Sequence, residues 1–127
     1  MQVEVIEVLD DGRVTVRSAV GTFTAGWDGD RPPVGSREAV ELDVGGVALW
    51  GEDVRLVDDG SSSRIEDDGS DIRLCGRIVE FGADDVLVVD VGGSPVMLDT
   101  DGDPPLGVTG RYVAVRARDV TLYPYNL

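Results

Sequence analysis

Asp28-Gly29-Asp30-Arg31-Pro32 returns 73 positions later as Asp101-Gly102-Asp103-Pro104-Pro105, and the echo extends well beyond the two loops. Aligning positions 3–50 with 76–123 needs no gap and gives ten identical pairs, among them Glu7 with Glu80, Val16 with Val89 and Leu49 with Leu122. The stronger argument is that apolar residues of inward parity coincide strand by strand. Val14 and Val16 fall on Leu87 and Val89, Phe23 and Ala25 on Val96 and Leu98, and Val40 and Leu42 on Val113 and Val115.

Each half therefore reads as about five short antiparallel strands. Gln2 to Leu9 alternates, but the alternation breaks once. Val3 and Val5 share a face that Ile6 and Val8 then take over, with Glu4 and Glu7 outward. Two apolar residues in succession inside a strand predict a β-bulge, and Ile78-Val79 repeats the pattern ahead of Glu80. Asp10-Asp11-Gly12 is a hairpin turn signal. The segment after Ser36 could open a short helix, yet its counterpart Arg111-Tyr-Val-Ala-Val-Arg-Ala-Arg118 alternates as a strand, so residues 37–44 should too. The Asp-Gly-Asp loops then join the third and fourth strands of each half.

These readings predict an all-β, internally duplicated chain. Residues 1–57 form a first repeat, 58–71 an acidic Ser/Gly/Asp linker and 72–127 a second repeat. Each repeat is a small barrel or sandwich, and about fifty residues is marginal for an independent core, so the halves should pack together. The linker holds six acids, one Arg and three consecutive Ser, and is expected to be a mobile, solvated loop. Val86 and Val88 stand at the outward positions where the first half has Arg13 and Thr15, which makes residues 86–89 apolar on both faces. A strand apolar on both faces is covered on both, so Val86 and Val88 are assigned to a half–half or subunit interface.

Composition narrows the chemistry. All eleven basic residues are Arg, and His is absent, as is Lys. No imidazole base, His metal ligand, Schiff-base lysine or phosphate-loop lysine is available, so catalysis is not expected. A net charge of −14 opposes the phosphate backbone of a nucleic acid and favours a basic protein partner. The single Cys75 rules out an internal disulfide, and its apolar strand context makes it a packed thiol. No apolar run reaches membrane-span length and no leader opens the chain, so a soluble cytoplasmic protein is expected, with self-association compatible with the interface assignment.

Leu98-Asp99-Thr100-Asp101-Gly102-Asp103 places oxygens at alternate positions, as calcium loops do. Here Gly comes early, Pro104-Pro105 follow, and no closing Glu is present, so a stiffened turn is the better reading and no metal or cofactor is assigned. Asp28, Asp30, Asp101 and Asp103 are instead assigned to a partner-binding acidic surface. The leading functional expectation is a non-catalytic acidic protein-binding module, of the inhibitor or immunity type, acting on a basic partner such as a nuclease. Gly110-Arg-Tyr-Val-Ala-Val-Arg-Ala-Arg-Asp-Val-Thr-Leu-Tyr123 resembles the end of MOP/TOBE-type oxyanion-binding barrels, which are often duplicated and five-stranded. That resemblance implies the alternative function, a duplicated small-ligand or oxyanion-binding β-barrel. The Ser-Ala-Arg-Asn opening of that family is missing from both halves.

Overall fold

The computed structural model describes residues 1–58 and 62–125 and is all-β. Twelve strands follow in order: β1 (Gln2–Val8), β2 (Val14–Ser18), β3 (Gly21–Trp27), β4 (Arg37–Val44), β5 (Val47–Leu49), β6 (Val54–Val57), β7 (Arg64–Asp67), β8 (Ile72–Phe81), β9 (Val86–Val91), β10 (Ser94–Asp101), β11 (Tyr112–Ala117) and β12 (Val120–Pro124). Among the described residues no helix is long and apolar enough to cross a membrane.

β1, β2, β3, β12 and β4 close into a five-stranded barrel, with β4 returning to β1. The second sheet runs β5-β10-β9-β8-β11-β6, curled rather than closed, with β7 added beside β8. The two halves thus trade strands. β12, from the end of the chain, fills the gap between β3 and β4, and β5, from the first half, lies along β10. β5 and β12 each run parallel to one neighbour, which corrects the expectation of a wholly antiparallel fold, while β6, also from the first half, pairs antiparallel with β11. A period-2 pattern specifies which face a strand buries, not which strand lies beside it.

The predicted bulge is present in both halves at one register. Val5 faces Val16 and Glu7 faces Thr15, with Ile6 extra; Ile78 faces Val89 and Glu80 faces Val88, with Val79 extra. The β2–β3 and β9–β10 hairpins also share a register, Val16 opposite Phe23 and Val89 opposite Val96. Gly12 and Asp85 both take positive φ, at 89° and 62°, in the turns that follow the bulged strands.

A single apolar core runs through both sheets, with Phe23, Leu74, Ile78, Leu87 and Leu122 fully buried. Each such side chain contributes about 1.5–3 kcal/mol relative to exposure. Two expectations fail locally. The match of Val47 and Leu49 with Val120 and Leu122 under the 73-residue shift predicts both inward, but Ala48 is the buried residue of β5 and Val47 is 57% exposed. Its parallel register, Asp99 opposite Val47, is one residue away from the Gly26–Thr121 pairing of β12, and a one-residue slip turns every side chain over. The acidic segment 58–71 is not a loop throughout, because Ile65 is buried and draws Arg64–Asp67 into β7, antiparallel to β8. The Ile65 N–H also donates to the Val20 carbonyl, and Gly21 leaves the space in which Ile65 backbone packs.

Candidate functional site

The first Asp-Gly-Asp loop follows a strand of the barrel and the second a strand of the curled sheet. Asp28 donates its N–H to the Leu122 carbonyl (2.9 Å), which seats the first loop on β12, and Asp28 and Asp30 line a shallow groove with Arg31, Pro33 and Pro124. Asp101 ends β10 opposite Leu49; its carbonyl accepts from Trp50 N–H (3.0 Å), and its carboxylate caps Gly102 N–H (2.8 Å). Asp103 lies exposed just beyond it. Gly29 and Gly102 both take positive φ, as a tight bend requires. Among the described residues no three carboxylates or thiols are grouped as a metal would need.

Val86 and Val88 are half-buried on the outer face of β9. This face continues across hydrogen-bonded neighbours: Val88 pairs with Met97, and Asp99 sits between Val86 on one side and Val47 on the other. The barrel and the second sheet meet through β4 with β10 and β3 with β7. The structure therefore brings Val86, Val88 and Asp101 onto one sheet while leaving Asp28 and Asp30 beside the barrel. Carboxylates border this apolar surface: Glu80 beside Val88, Asp99 within it and Asp101 beside Leu49. At the far end Asp90 faces Arg77.

The residue that sequence reasoning missed is Asp53. In the tight turn between β5 and β6 it is buried, and its carboxylate accepts from Leu49 N–H (2.9 Å) and from Arg116 Nη2 (2.9 Å) and Nε (3.2 Å). The Leu49 amide, then the Arg116 guanidinium, hold its carboxyl below the ordinary aspartate value. The hint in sequence is Arg116 itself, which alternation along residues 111–118 turns outward opposite Val113, Val115 and Ala117. Beside this latch lies an open cleft of about 600 Å³ floored by Ala114 and three arginines, Arg55, Arg73 and Arg116, and walled by Glu52, Glu66, Asp67, Asp68 and Asp71. Cys75 is buried and is not part of this lining.

No family model, curated protein or solved structure matches the chain.

Proposed function

We propose that the chain is a non-catalytic, acidic binding module for a basic protein, with its halves copies of one ancestral β unit. One observation carries the binding reading: the outer face of β9 and β10 leaves Val86, Val88 and Met97 uncovered or half-covered, with Asp99 among them and Glu80 and Asp101 at the margins. Apolar patches with polar rims are characteristic of protein-contact surfaces, and a −14 chain steers basic partners towards them. Inhibition of a basic enzyme such as a nuclease is the form this takes in the cell. The copy relation is supported by the shared bulge register and the matched hairpins.

An oxyanion in the Arg-floored cleft is the weaker reading. Six carboxylates, Asp53 included, line that cleft against three guanidiniums, and Asp53 already holds one of the three. The experiment is to purify the protein natively from its source cell, identify what co-purifies, and reconstitute the pair from pure components. A basic protein whose affinity falls steeply between 50 and 500 mM NaCl, about tenfold or more, fits the reading. Salt-insensitive binding, or recovery of a stoichiometric small anion in place of a protein, would overturn it.

A further inference from the structure

The two halves differ most tellingly at one matched row. In the first barrel the row runs Glu7–Thr15–Thr24 across β1, β2 and β3, and the two threonine hydroxyls hydrogen-bond to each other at 2.7 Å. Beyond it the Asp67 carboxylate accepts from Thr24 N–H. The same register in the second sheet reads Glu80–Val88–Met97. The bulge adds Val79, 49% exposed, at one end, and Met97 is 61% exposed at the other. At identical backbone positions, self-satisfied hydroxyls have given way to an uncovered apolar stripe. Met97 then forms one wall of a shallow groove of about 340 Å³, whose opposite side is Tyr123 with Glu41 and Asp43.

We infer that this stripe and groove are where the partner docks, and that it inserts an aliphatic or aromatic side chain against Met97 and Tyr123, flanked by Arg or Lys. The inference rests on the binding reading above and adds its location and anchor chemistry. Charge decides the occupant. A second copy would bring Glu80, Asp99 and Asp43 against the same residues, whereas a basic partner neutralises them. Anchoring by a central apolar contact inside a polar rim is how binding energy is usually concentrated.

The test is a titration of ¹⁵N-labelled protein, at 50 mM salt, with a synthetic strand peptide alternating Arg with Leu around one Trp, and with oligo-arginine of equal charge. The expected result is saturable binding of the amphipathic peptide, shifts centred on Val79, Val88, Met97 and Tyr123, and at least tenfold weaker binding of oligo-arginine. The double variant Val88→Thr with Met97→Thr installs the first barrel's own pair, and should weaken the amphipathic peptide about tenfold without lowering the melting temperature. Equal affinity for both peptides, or shifts centred on Asp28 and Asp30, would overturn the docking face while leaving a basic partner standing. If neither peptide binds, the binding reading itself fails. Sedimentation showing dimers that protect the stripe would assign it to a second copy instead. Should the variant unfold, the wild-type shift map still decides.

Discussion

Arg116 holds Asp53 twice, its backbone N–H donating to the Asp53 carbonyl and its guanidinium to the Asp53 carboxylate, across 63 positions of chain. The carboxylate's other oxygen takes Leu49 N–H, so one side chain ties β5 to β11 where the second sheet has no strand pairing between them. In the first barrel, β12 makes the corresponding closure with backbone alone.

Replacing Asp53 with Ala should therefore destabilise the protein by about 2 kcal/mol, the usual cost of losing charge-assisted hydrogen bonds and orphaning an amide. Urea unfolding of the purified variant measures this. A change within error would mean that the sheet is held shut by packing alone.

The same contact sets a pH dependence. Asp53 has its folded-state pKa lowered from 3.8, so its ionised form is favoured by folding. Its contribution is complete above the unfolded value and is lost as pH falls through the folded one. Wild type should lose stability more steeply than Asp53→Asn below about pH 4, and their difference should be constant above pH 6. Melting curves from pH 2.5 to 7 in one ionic strength check the sign.

Gly76 lies in β8 where a Cβ would run into the Asp90 carbonyl and the Val89 side chain. Gly76→Ala should cost about 1–3 kcal/mol through forced separation of β8 from β9. Gly93, in the open hairpin turn, has nothing near it, and the comparison Gly93→Ala reports backbone strain without crowding. A smaller loss at Gly76 than at Gly93 would contradict this account.

Asp85 takes φ of 62° at the turn position where the other half has Gly12. Its carbonyl accepts from both the N–H and the hydroxyl of Thr100, so the backbone must stay as it is. Asp85→Gly keeps that backbone, removes left-handed strain and removes one negative charge, and should raise stability by about 0.5–1 kcal/mol. Calorimetry distinguishes this from a neutral exchange.

Much of the fold could be read from the chain, and the failures have physical causes. The bulges at Ile6 and Val79 showed because a slipped parity leaves two apolar residues in succession. The 37–44 strand showed because its counterpart, unlike it, has no helix-capping look. Strand exchange did not show: Val120 and Leu122 face inward whichever sheet receives them, so parity is silent about β12's destination. In β5 even parity misled, since Asp53 and the β5–β6 turn fix the register that turns Val47 outward. β7 was hidden because one aliphatic, Ile65, among six acids carries the whole signal for burial. Of the assigned residues, Val86, Val88 and Asp101 lie on one sheet, yet Met97 and Tyr123 gave no sign in strands that alternate normally.

The exchange of β12 also imposes an order in time. A chain emerging from the ribosome presents β1 to β4 first, yet the barrel they begin cannot shut until residues 120–124 arrive from the far end. The part made earliest is completed last. Until then β3 and β4 carry unpaired edges that a neighbouring nascent chain could fill, and the surplus of negative charge keeps such chains apart.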